Sequence, residues 1–232
     1  MDVRASGSSI VIDELIDFIG REVKPNELEK LCLEITPNIK LKVLTPHVFD
    51  VLAKKCGKLD RFELRGASRL SQEQTRGIIL DFASKVLKNC SEENNHFLTD
   101  FRFVHMARYP QEALNFMIST DRVSQLRVLA LTGMSQLFVQ GSPQLEVTLD
   151  FLAKQSGLER LYLDRTDLLS EILIQILDRL MQGVAAQSSL TEVGFCNAVE
   201  IDERAGERII DFINGAPKLQ HFDIRITGSY GS

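Results

Sequence analysis

The chain has no stretch approaching the roughly 18 consecutive apolar residues that a membrane-spanning helix needs, so no membrane span is expected. A large excess of charge of one sign is lacking too. The formal net charge is −5 and no basic stripe runs through the sequence, which argues against a nucleic-acid partner. The N-terminus, Met1 to Ser9, is small and polar and lacks the apolar centre of a secretory signal. Cysteine is sparse and scattered: Cys32, Cys56, Cys90 and Cys196 form no C-x-x-C pair, which fits neither a zinc site nor a disulfide framework. They read as reduced, mostly buried thiols acting as small hydrophobes, and they predict a cytoplasmic, reducing location.

Catalytic signatures are missing as well. There is no G-x-x-x-x-G-K-[ST], G-x-G-x-x-G, H-E-x-x-H or G-x-S-x-G. His47, His96, His105 and His221 are dispersed, and none stands at metal-ligand spacing from another. The expectation is a non-enzyme with no metal, no cofactor and no small-molecule substrate. With 44% hydrophobic and 25% charged residues, the chain is nevertheless well able to bury a core.

What it does contain is a repeat. The pattern L-x-x-φ-x-φ, with φ apolar, starts at Leu28, Leu59, Leu98, Leu126, Leu158, Leu190 and Leu219, at intervals of 31, 39, 28, 32, 32 and 29 residues. Each match describes a short strand with alternate residues turned inward, followed by enough chain for a turn, a helix and a return. A second signal keeps the same phase. An apolar residue, then Asp or Asn, then Phe occurs at Ile16–Phe18, Leu80–Phe82, Leu114–Phe116, Leu149–Phe151 and Ile210–Phe212. Val48–Ala53 is a looser version, and Ile172–Leu180 supplies an apolar helix without the Phe. Around these motifs the apolar positions fall at three- and four-residue steps, as an amphipathic helix requires.

Two signals in one register resemble the leucine-rich-repeat family, of the long, helix-containing ribonuclease-inhibitor type, over residues 10–227. The resemblance implies an α/β solenoid, a horseshoe with a parallel concave β-sheet of about seven strands and convex α-helices, used mainly for protein recognition. Residues 1–9 and 228–232 are expected to be a flexible N-terminus and tail. The array is divergent. The family places Asn or Cys eight residues after the leading Leu, where this chain has Thr36, Ala67, Met106, Met134, Thr166, Ala198 and Thr227. Ser91–His96 is expected to be an exposed polar insertion, and Gln136–Gln144 a second extended loop. Ile10–Gly20 looks like the helix of a preceding repeat whose strand is missing. The final strand enters a Gly- and Ser-rich tail without a capping helix, so a partner covers that edge or the chain belongs to a longer one.

In this register, positions two, four and six after each leading Leu face the concave surface. They include Lys30, Cys32 and Glu34, then Arg61, Glu63 and Arg65, then Asp100, Arg102 and Val104. Val128, Ala130 and Thr132 form a bland patch, followed by Arg160, Tyr162 and Asp164, then Glu192, Gly194 and Cys196, and finally His221, Asp223 and Arg225. Arg61, Arg65 and Arg102 are read as a basic cluster and Tyr162 beside Arg160 as an interface anchor, because Arg and Tyr are enriched at interface hot spots. The expected binding residues are therefore Arg61, Glu63, Arg65, Asp100, Arg102, Arg160, Tyr162, Asp164, Glu192, His221 and Asp223. The bland alternative is that mixed charge only keeps an exposed sheet soluble. Cys196 and His221 share the face and superficially resemble a Cys–His pair, although nothing evident orients the His. The functional expectation is a non-catalytic scaffold or interaction module with a protein partner. A substrate receptor of a ubiquitin ligase (the F-box type carries such repeats), the repeat region of an immune sensor or bacterial effector, and an enzyme regulator are the alternatives.

Overall fold

A computed structural model describes residues 2–5, 20–35, 51, 54–66, 98–105, 126–182, 189–198 and 201–226. The chain divides into two compact units, Met1–Phe101 and Arg102–Ser232. It is α/β, with parallel strands and helices. The first unit holds β1 (Asp2–Ala5), β2 (Lys30–Ile35) and β3 (Arg61–Gly66), paired parallel in chain order. The boundary falls inside β4 (Asp100–Val104). The second unit holds β5 (Val128–Thr132), β6 (Arg160–Tyr162), β7 (Glu192–Ala198) and β8 (His221–Ile226), again parallel and in chain order. Its helices are α1 (Pro143–Ala153), α2 (Ser170–Gln182) and α3 (Glu203–Gly215).

Every strand from β2 to β8 begins two residues after its leading leucine. The register aligns equivalent positions: Leu31 with Phe62 in the first unit, and Leu129, Leu161, Val193 and Phe222 across the second. The backbone repeats the same hydrogen bonds from strand to strand. The carbonyl one residue after the leading Leu accepts two N–H groups from the next strand's start: Glu29 from Asp60 and Arg61, Arg127 from Glu159 and Arg160, Glu159 from Thr191 and Glu192, Thr191 from Gln220 and His221. At the other strand end, the N–H seven residues after the Leu donates to the following strand. His105 donates to Thr132, Gly133 to Asp164 and Arg165 to Cys196, at 2.7, 2.8 and 2.7 Å. All three donors hold positive φ, at 58°, 72° and 54°. That left-handed residue turns the chain out of the strand, and one of the three is a glycine: a Cβ on Gly133 would lie 3.2 Å from His105 Nδ1.

The alternation then sorts the side chains. Leu28, Leu31, Leu59, Phe62, Leu64 and Phe101 are buried in the first unit, where the Phe62 and Phe101 rings stack at 6.1 Å. Leu129, Leu131, Leu158, Leu161, Leu163, Leu190, Val193 and Phe195 do the same in the second, as do Leu149, Leu152, Ile172, Ile176 and Phe212 of the helices. Eight residues after the leading Leu, Thr166 donates its hydroxyl to Leu163 O at 2.6 Å, whereas Met134 is buried.

Two expectations are corrected. A strand precedes the segment Ile10–Gly20, where none was expected: within residues 1–9, Asp2–Ala5 form β1 and pair with β2 from Lys30 to Leu33. Four residues without a leading leucine carry no recognisable period. The extended loop at Gln136–Gln144 is also largely regular. Ser135–Phe138 form a 3-10 turn with Leu137 and Phe138 buried, and α1 begins at Pro143. Ser142 Oγ accepts from Leu145 N–H at 3.1 Å and proline suits the first helical position, so residues that read as loop formers are a helix cap. Of the helices expected further upstream, only residues 20–22, 51 and 54–55 are described as helical. Leu80–Phe82, Leu114–Phe116 and Ser91–His96 lie outside the described residues.

Candidate functional site

The outward positions of the strands form two sets, one in each unit. In the first, Arg61 and Arg65 both close on Glu63, each within hydrogen-bond reach of a different carboxylate oxygen. Arg61 also reaches Asp100 at 3.6 Å. Glu63 is only 1% exposed. Burial alone would push its carboxyl up, but the hydrogen bonds and charges of the two arginines outweigh it and hold it below the usual glutamate range. The basic cluster expected from Arg61, Arg65 and Arg102 is therefore resolved differently. Two of its arginines neutralise an internal carboxylate, Arg102 belongs to the second unit, and Glu63 is a buried strut rather than a solvent-facing contact.

The second set has regular rows fixed by the register. Arg160, Glu192 and His221 lie side by side, as do Tyr162, Gly194 and Asp223. Arg160 Nε stands 3.9 Å from Glu192 Oε2. The Tyr162 hydroxyl bonds to Glu192, and burial, that bond and the carboxylate's charge together raise its pKa, while Arg160 and Arg102 pull the other way. Gly194 creates the room: a Cβ there would meet Asp164 Oδ1 at 3.2 Å and Tyr162 Cδ1 at 3.3 Å. Without it, the Tyr162 ring lies over the strand and Asp164 Oδ1 accepts from Cys196 N–H at 2.9 Å. Of the bland patch, Val128 and Ala130 are buried and Thr132 is half-buried. His221 and Asp223 are exposed, and Arg225 is 3.2 Å from Asp223.

Cys196 and His221 do not pair. His221 stands opposite Glu192, four residues along β7 from Cys196, or about 13 Å in an extended strand. The Cys196 thiol instead donates to Asp223 Oδ2 at 3.3 Å. Burial, that bond and the charges of Asp164 and Asp223 push it up to about 12. Carboxylates around a thiol suppress the thiolate, which is the nucleophilic form. Cys196 should therefore be alkylated by iodoacetamide at about pH 8 at least roughly tenfold more slowly than an unperturbed cysteine, read by mass spectrometry of its peptide. A rate equal to that of glutathione would mean the Asp164–Cys196–Asp223 arrangement does not hold in solution.

Among the described residues, no three of His, Cys, Asp or Glu come together in a way that could hold a metal ion, and no helix is long and apolar enough to cross a membrane. What the strand face offers is an array of alternating charge with one anchored tyrosine. Sequence reasoning placed its members by register. It missed that Glu63 is internal and that Asp164 is tied to the Cys196 backbone, because both depend on neighbours some 30 residues away or on which way a side chain folds. Compared with protein-family models and with curated proteins, the chain matches none.

Proposed function

We propose that the chain is a divergent leucine-rich-repeat solenoid of the ribonuclease-inhibitor type that binds a protein partner through the outward face of its strands, without catalysis and in the cytoplasm. The observation that carries this reading is the repeated strand-to-strand bonding, which holds Arg160, Tyr162 and Glu192 in fixed rows on a sheet face. A half-buried Tyr162 beside an exposed Arg160 on a rigid scaffold loses little conformational entropy on binding, which favours it as a contact.

The test is an affinity capture from native lysate with three baits: wild type, Arg160→Ala/Tyr162→Ala on the strand face, and Asp150→Ala/Arg179→Ala on the helices. A partner kept by wild type and the helix variant, but reduced roughly tenfold or more by the strand-face variant, is the expected result. Equal loss on the helix variant, or equal recovery by all three, overturns the reading. The partner's identity separates a scaffold from a ligase receptor, an immune sensor or an enzyme regulator.

A further inference from the structure

The end of the second unit differs from its interior in both layers. Leu149 and Leu152 of α1 lie nine and six residues before their leading Leu158 and are 1% and 0% exposed. Ile210 and Ile213 of α3 occupy the same places before Leu219, yet they are 59% and 42% exposed. The strand layer repeats the contrast. Leu158, Leu161 and Leu163 are fully buried, as are Leu190, Val193 and Phe195, whereas Leu219, Phe222 and Ile224 are half-buried. Apolar side chains of both α3 and β8 are therefore left partly uncovered.

Among the described residues, none pairs with the side of the β8 backbone away from β7. His221 N–H donates back to Thr191 O, so strand alternation turns the N–H and C=O groups of Phe222, Ile224 and Ile226 away from β7. Just past β6, the residue equivalent to Ile224 is Leu163, whose N–H donates forward to Gly194 O at 2.9 Å.

We propose that this β8–α3 end is a homodimer interface, in which two copies of the chain pair β8 with β8 antiparallel about a two-fold axis between their Ile224 residues, and α3 packs on α3. Three features fit a second copy. The outward amides of Ile224 make it a hydrogen-bonded pair with itself across the axis, with Phe222 opposite Ile226. That register sets Asp223 opposite Arg225 of the other copy, twice, in the closely spaced pairs where side chains meet. The two residues now pair with each other inside one strand at 3.2 Å, and the dimer exchanges that contact for its symmetric equivalent. Finally, a two-fold axis perpendicular to the sheet keeps both helix layers on one side, so Ile210 and Ile213 are covered by the same residues of the other α3.

The test is sedimentation equilibrium of the full chain from nanomolar to high micromolar concentration, with circular dichroism to confirm folding. Wild type should reach twice the chain mass. Ile210→Lys/Ile213→Lys should weaken association roughly tenfold or more, and these exposed positions leave the fold intact. Asp223→Arg should weaken it comparably by facing arginine with arginine, and Asp223→Arg/Arg225→Asp should restore it. A monomer throughout the range overturns the proposal and leaves this end to a different protein or to further chain. A dimer indifferent to the isoleucine pair, or a charge swap that fails to rescue, overturns it too.

Discussion

Leu161→Ala is expected to destabilise the second unit by roughly 2–5 kcal/mol, while Tyr162→Ala, its neighbour on the same strand, costs less than about 1 kcal/mol. Leu161 is 0% exposed and pairs in register with Leu129 on one side and Val193 on the other, so truncation leaves a cavity lined by chains that belong to three strands. A cavity of that kind cannot collapse without moving the strand-to-strand bonds made by Glu159 and Arg160. Tyr162 points the opposite way and is half-buried, so its loss removes the bond to Glu192 and some apolar cover from the strand face. Urea denaturation of the two variants measures the difference. If Tyr162→Ala were the costly change and Leu161→Ala neutral, the inward and outward faces of β6 would be interchanged.

The second large effect is expected in the first unit. Arg61→Ala/Arg65→Ala leaves Glu63 as a buried carboxylate stripped of both guanidiniums, at a cost of about 3 kcal/mol at neutral pH, the low end for breaking a buried pair because the arginines are themselves partly exposed. The pH dependence should change sign. In the wild-type chain the Glu63 pKa is lower folded than unfolded, so its contribution is complete above the unfolded value and is lost as pH falls through the folded value. In the double variant the burial that raises the pKa is no longer opposed by those arginines, and the folded pKa moves above the unfolded one. The penalty then stands at neutral pH and is relieved on acidification. Unfolding free energies at about pH 7 and about pH 5 should narrow the gap between variant and wild type. A gap that widens instead would mean that other groups keep Glu63 ionised. Glu63→Gln in the same background should recover most of the loss at neutral pH, since it removes the charge and keeps the shape.

Local pattern decided more of this protein than its composition did. The leading leucines, the apolar positions three and five residues beyond them, and the phased helix motifs were enough to place β2 to β8 and the cores of α1, α2 and α3. Period-two burial in a strand and three- or four-residue steps in a helix are properties of neighbouring residues. The same alternation located the outward positions, including Arg160, Tyr162 and Glu192, before any contact was visible. The signal failed where it had too little length, as in the four residues of β1, or where turn-forming residues serve a helix cap, as at Ser142 and Pro143.

Tertiary structure alone decided what those outward residues do. Whether Glu63 faces water or lies beneath two arginines depends on side chains folding back along β3, which no spacing encodes. That Cys196 meets Asp223 rather than His221 depends on the parallel register of β7 with β8, set by bonds between residues some 30 positions apart. The openness of Ile210 and Ile213 is likewise invisible in their sequence, because they carry the same apolar character as the buried Leu149 and Leu152. Hydrophobic pattern states which face of an element seeks cover; only the packing of its neighbours determines whether that cover is there.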